Sequence, residues 1–164
     1  MSRASASAPE GASLSPDAAL LALVRARGEA RCTQRFSLLG EHAAIWLAYG
    51  AWRAARADDA AERSVWMHAD GAIARVYAVN TVLKLLVRRQ RPPAQLTGTP
   101  TQLSFPSAHA ATSFAAARAF SRAGAPASPL YALAFALSLS RLRLGVHHPS
   151  DVLAGALLGT VLLR

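Results

Sequence analysis

The sequence predicts an all-α protein, a membrane helical bundle of about five spans plus an N-terminal amphipathic helix. Three observations predict it. Ala fills 38 of 164 positions, hydrophobic residues make up 52% and charged residues only 16%. That is too apolar for a disordered chain and low in charge for a soluble domain. Five apolar segments recur over 36–55, 71–89, 107–121, 128–144 and 149–163. At 1.5 Å rise per residue, most are candidates to cross a bilayer core of about 30 Å. No stretch of useful length alternates in the manner of a strand.

Taken in order, residues 1–15 are rich in Ala, Ser, Pro and Gly and read as a disordered N-terminus, without the charged, apolar and cleavage regions of a signal peptide. Residues 16–164 read as one helical domain. Ser15 and Pro16 open an amphipathic helix over 16–30, with Leu20, Leu21, Leu23 and Val24 on one side and Arg25, Arg27 and Glu29 toward water. It lies on a membrane surface or packs on the domain. The bundle occupies 36–164. Glu41, Arg53, Arg75 and Arg118 interrupt its apolar runs, and the clean stretch Ala123 to Ser140 contains Pro126 and Pro129. Hydropathy alone therefore leaves a soluble Ala-rich bundle open. Gly155 and Gly159 form a G-x-x-x-G pair, a signal for close helix packing that does not require dimerisation.

Charge narrows the chemistry. The formal net charge is +9, with 17 Arg and the single lysine Lys84, and Asp151 is the only acid after Asp70. Such an excess suits nucleic acid, anionic lipid, a phosphorylated substrate or a positive-inside bias in a membrane protein. Mg²⁺ and Ca²⁺ need several oxygen ligands, so any catalysis in the second half is expected to be metal-independent and free of cofactors. One cysteine, Cys32, excludes an intrachain disulfide or a cysteine zinc cluster.

Three clusters carry chemistry. In Lys84-Leu85-Leu86-Val87-Arg88-Arg89-Gln90-Arg91-Pro92, the residues Lys84, Arg88 and Arg91 share one helical face if the helix persists, aiming cations at an anion or snorkelling to an interface. Phe105-Pro106-Ser107-Ala108-His109 opens a helix, with Ser107 a good N-cap and His109 in the first turn, where free N–H groups attract anions. In Ser140-Arg141 through His147-His148-Pro149-Ser150-Asp151, Pro149 starts the last helix and Asp151 reaches back to His147. A carboxylate on one imidazole nitrogen fixes the tautomer and frees the other nitrogen as a nucleophile. An ordinary acid at a helix N-terminus is the plainer explanation, weakened by the scarcity of acids.

The three patterns, K-x6-R-P, P-S-[G/A]-H and S-R-x5-H-x3-D in that order, resemble the signature of the type 2 phosphatidic acid phosphatase superfamily over about residues 36–164. The resemblance implies an all-helical bundle acting on lipid phosphates. It implies His147 as a nucleophile forming a phosphohistidine, Asp151 orienting it, and His109 as the general acid. Lys84, Arg91 and Arg141, with Ser107 and the amide of Ala108, would bind the phosphoryl oxygens. Arg grips phosphate bidentately and Lys acts as a point charge, as phosphoryl transfer requires. The second motif usually has Gly where this chain has Ala108, which is harmless only if that residue is helical. His148 lies outside the signature.

Within the superfamily the chain is similar to small actinobacterial decaprenyl-phosphoryl-5-phosphoribose phosphatases, which supply arabinan precursors to the cell wall. That similarity implies a polyprenyl-linked phosphate substrate, membrane lipid as a partner and no nucleic acid. Undecaprenyl diphosphate, phosphatidic acid or phosphatidylglycerol phosphate are the competing substrates, and a non-catalytic basic membrane-binding protein is the competing class. Five spans put all three clusters on the N-terminal side of the plasma membrane. The cations on that side outnumber those opposite, so the positive-inside rule places the site in the cytoplasm.

Overall fold

The computed structural model describes residues 15–25, 30–93 and 95–162. The expected disordered tail lies, apart from Ser15, outside the described residues, as do Arg27 and Glu29. Seven α-helices follow in order: α1 Pro16–Val24, α2 Arg31–Leu38, α3 Ala44–Ala55, α4 Ala60–Val87, α5 Ala108–Arg122, α6 Ala127–Arg143 and α7 Pro149–Val161, with a 3₁₀ turn at Glu41–Ala43 before α3. Among the described residues there is no strand, only an isolated bridge between Gln90 and Leu103.

The α5 helix is the axis of the bundle and packs against α4, α6 and α7. Its sequence explains that place. Ala110, Ala111, Ala115, Ala116 and Ala117 are all buried, and their short side chains let neighbouring backbones close in. On one side the approach is closest, where Gly155 and Gly159 of α7 lie against the backbone of Ser107 and Ala111, with no room for a methyl group. The G-x-x-x-G pair thus works within the chain. On the other side an aromatic cluster of Trp46, Tyr49, Trp66 and Phe120 fills the space between α3, α4 and α5. Trp46 also donates its indole N–H to Ser113 at 3.0 Å, satisfying a polar group that burial would otherwise leave costly.

Four expectations need correction. First, no helix among the described residues is long and apolar enough to cross a membrane. Five of the seven are 15 residues or shorter and α6 has 17, while the 28-residue α4 carries Glu62, Arg63, Asp70, Arg75 and Lys84; about 20 apolar residues are needed. Second, segment 36–55 is broken. The chain turns at Leu39–Gly40, and His42 and Ala43 take positive φ of 50° and 60° before α3 begins. Third, α4 starts eleven residues before the apolar run, capped by Asp59, and ends at Val87 because Arg88 is left-handed at φ 54°. Lys84, Arg88 and Arg91 therefore do not share a face. Fourth, α1 ends at Val24, and its leucines do not share a side, since Leu21 is buried whereas Leu20 and Leu23 are exposed.

Candidate active site

The site forms where the start of α5, the end of α6, the turn before α7 and the segment after α4 converge. Each position has a local cause. Ser107 caps α5, its hydroxyl accepting from the Ala110 amide at 3.5 Å, so the helix starts at Ala108 and presents its N-terminus. Ala108 is helical, and the residue that replaces the usual glycine is unstrained. Proline at 149 starts α7, and the Asp151 carboxylate accepts from the amide of His148 at 2.8 Å, fixing the first turn. The Ser107 amide donates to the Asp151 carbonyl at 2.9 Å, which links the second and third motifs through backbone alone.

A cavity of about 140 Å³ lies at this junction. Lys84, Arg91, Ala108, His109, Arg141 and His147 line it, together with Glu41, His42, Tyr77, Asn80, Thr81 and Thr101. Of the residues singled out from sequence, Ser107 and Asp151 stand behind the wall, fully buried. Arg88 points away and is exposed.

The histidine at 147 is buried between opposite partners. Its Nε2 lies 3.2 Å from Arg91 Nη1, and because arginine only donates, Nε2 must be the unprotonated acceptor. The proton therefore sits on Nδ1, which faces Asp151 Oδ2 at 3.6 Å, an ion-pair separation longer than a hydrogen bond. Burial, together with the cations of Arg91, Arg141 and Lys84, outweighs the pull of Asp151 and holds the imidazole down at about 3. At neutral pH His147 is neutral, with a lone pair on the nitrogen beside the cations.

The other groups are held just as firmly. His109 Nε2 meets the Ser37 carbonyl at 3.1 Å. Arg141 donates to the Ser37 hydroxyl at 2.6 Å, and its buried Nε has no hydrogen-bond partner. Lys84 donates to the carbonyls of Leu103 at 3.1 Å and Pro106 at 3.0 Å, so its first task is to shape the segment that leads into α5. Arg91 also donates to the carbonyls of Thr101 and Val146 at 2.8 and 2.6 Å. A concave site with three cations, a helix N-terminus and a neutral histidine suits a phosphoryl group.

Sequence reasoning missed Arg89, which donates to Asp151 Oδ1 at 2.9 Å. It also missed Ser37, which touches both His109 and Arg141. Tyr77, which bonds His42 at 3.0 Å, was missed too. None carries a motif; only the left-handed turns at 42–43 and 88 bring them in.

Comparison with known proteins identifies the family and the fold. The PAP2 superfamily model matches residues 65–164. A decaprenylphosphoryl-5-phosphoribose phosphatase of Mycolicibacterium smegmatis is 39% identical over 153 residues, covering 90% of this chain and 83% of the relative. A phosphatase of the same name from Mycobacterium tuberculosis is 39% identical over 142 residues, covering 84% and 78%. Two crystal structures share the fold. A transmembrane PAP2 type phosphatidylglycerolphosphate phosphatase from Bacillus subtilis superposes with a TM-score of 0.68 at 20% identity, covering 89% of this chain and 80% of that one. Aquifex aeolicus LpxE superposes with a TM-score of 0.64 at 22% identity, covering 88% and 90%. With the family model spanning all three motifs and relatives this similar over most of both chains, the protein belongs to the PAP2 superfamily.

Proposed function

We propose that this protein is a metal-independent phosphatase that removes the 5-phosphate of decaprenyl-phosphoryl-5-phosphoribose through a phosphohistidine on His147. The observation that carries the reading is the tautomer of His147, with its nucleophilic Nε2 unprotonated beside Arg91 and its Nδ1 proton toward Asp151. The Nε2 lone pair attacks phosphorus. The bond between phosphorus and the 5-oxygen breaks, and His109, protonated as the substrate's phosphate dianion enters beside its buried imidazole, passes that proton to the oxygen. Lys84, Arg91, Arg141 and the Ala108 amide hold the phosphoryl oxygens as charge shifts between them. Water, giving a proton to the now neutral His109, then attacks the phosphohistidine; the P–N bond breaks, phosphate leaves and both histidines are restored.

Substrate class draws support from the rest of the lining. Glu41, His42, Tyr77, Thr81 and Thr101 add acceptors and donors to the cavity that holds the cations. Such a lining suits the hydroxyls of a sugar better than the acyl chains of a glycerolipid, in keeping with the names of the two relatives. The prenyl chain requires an apolar exterior. Leu85, Leu86, Val87, Phe135, Leu153, Leu157 and Val161 are all exposed; no described helix alone has the length and hydropathy of a span, and these side chains support a bundle seated in the plasma membrane with its site toward the cytoplasm.

The test is phosphate release in detergent with EDTA present, offering the phosphoribose lipid beside undecaprenyl diphosphate and phosphatidylglycerol phosphate. Preference for the phosphoribose lipid is expected, undiminished by EDTA. His147→Ala should lower kcat by at least about a thousandfold. Full activity in that variant would overturn the mechanism; preference for the diphosphate would overturn the substrate.

A further inference from the structure

A polar network behind the site joins the first helix to the last. Asp17 sits in the first turn of α1, Ser150 and Asp151 in the first turn of α7, and Arg89 in the segment after α4. Arg89 Nη1 donates to Asp151 Oδ1 at 2.9 Å and to the Ser150 hydroxyl at 2.6 Å, while Nη2 donates to Asp17 Oδ2 at 2.8 Å. The other oxygen of Asp17 accepts from the Ser150 amide at 3.0 Å, and the Ser150 hydroxyl bonds Asp17 Oδ2. Further along, Arg25 donates to the Pro93 carbonyl at 3.4 Å and lies over Gly145, so α1 is strapped across the back of the site at both ends.

We propose that Arg89 is a positioning residue for the His147–Asp151 pair, and that Asp17, acting through Arg89, makes α1 part of the working site. The proposal rests on the phosphohistidine reading above. Its physical basis is the Asp151 side chain, which is fully buried. A carboxylate swings both oxygens on one torsion. The His148 amide holds Oδ2 and Arg89 holds Oδ1, so the face offered to His147 is fixed. The planar guanidinium fork reaches Asp151 with one nitrogen and Asp17 with the other, which an ammonium cannot reproduce. Charge matters as well. Arg89 offsets Asp151 and so disfavours the imidazolium of His147, whereas Asp17 offsets Arg89. The groups facing His147 are Asp151, Arg91, Arg141, Lys84 and His109; those facing Asp17 are Arg89 and Ser150.

The experiment uses the full chain in detergent with Asp17→Asn, Arg89→Gln, Arg89→Lys and the double variant D17N/R89Q. Steady-state kinetics on the lipid phosphate are read with the pH profile of kcat/KM, and the His147 imidazole is followed by ¹⁵N NMR without substrate. Arg89→Gln should lower kcat about 10- to 100-fold with KM within about twofold, and Arg89→Lys should recover part of the loss. Asp17→Asn should lower kcat several-fold alone but add nothing in the R89Q background. The His147 titration should move up in R89Q and down in D17N, opposite signs that simple loosening of α1 does not produce. Wild-type kcat and an unmoved His147 titration in D17N would overturn the proposal, and D17N alone decides if R89Q does not fold. Absence of turnover in the wild type would instead refute the phosphohistidine reading, while the NMR measurement still judges the Arg89 link.

Discussion

At the scale of single residues, Ala108 shows how a departure from a motif is resolved by backbone conformation. It is the first residue of α5 behind the Ser107 cap and needs no positive φ. Ala108→Gly should therefore leave kcat within about twofold and lower stability by up to about 1 kcal/mol, measured by thermal unfolding in detergent. Asp17 provides a pH signature. Burial alone would raise its carboxyl, but the bonds from Ser150 and Arg89 outweigh it and bring it from 3.8 to about 2. A lowered carboxyl stabilises the fold above its unfolded value and loses that effect as pH falls through the folded one. The stability gap between wild type and D17N should thus be full above pH 3.8 and vanish near pH 2 in denaturant titrations. The approach of Asp151 to His147 was legible in the sequence, because residues four apart at a helix start remain neighbours; the proposed places of His109 and Arg141 came from the family resemblance and not from spacing. Arg89 was legible from neither. In Arg88-Arg89-Gln90-Arg91 nothing tells which arginine turns inward until the left-handed Arg88 redirects the chain.

At the scale of elements, the glycines decide how closely helices meet. A methyl group on Gly155 would collide with the Ser107 carbonyl, and one on Gly159 with the Ala111 carbonyl. Backbone cannot step aside as a flexible side chain can. Gly155→Ala should cost about 1–3 kcal/mol of stability and, because Ser107 begins the phosphate-facing end of α5, lower kcat more than Gly159→Ala does. Equal kcat in the two variants would contradict that ranking. The five apolar segments were legible as helices because Ala-rich runs bounded by Pro and Gly leave few alternatives. Their ends were less so. The left-handed pair at His42 and Ala43 follows from no glycine or asparagine signal, and the early start of α4 uses the polar stretch Ala60–Asp70, which hydropathy discards.

At the scale of the whole molecule, the orientation proposed for the bundle is one that a single probe can read. Cys32 is the only cysteine in the chain and is exposed on α2, whose Ser37 touches the site. A membrane-impermeant maleimide should leave Cys32 unlabelled in intact cells and label it in inside-out vesicles. Labelling of intact cells would reverse the proposed topology. The bundle's connectivity also sets an order of synthesis. Lys84, Arg91 and Arg141 are made after Glu41 but before Asp151, and α5 waits for the glycine face of α7 to cover its backbone. At about 5–20 residues per second, translation separates Lys84 from Asp151 by roughly 3–13 s. Until the end of that interval the nascent chain lacks His147 and the Asp151 carboxylate that faces it. A ribosome that stalls before α7 therefore leaves the site without that pair and the α5 backbone without the glycine face that covers it.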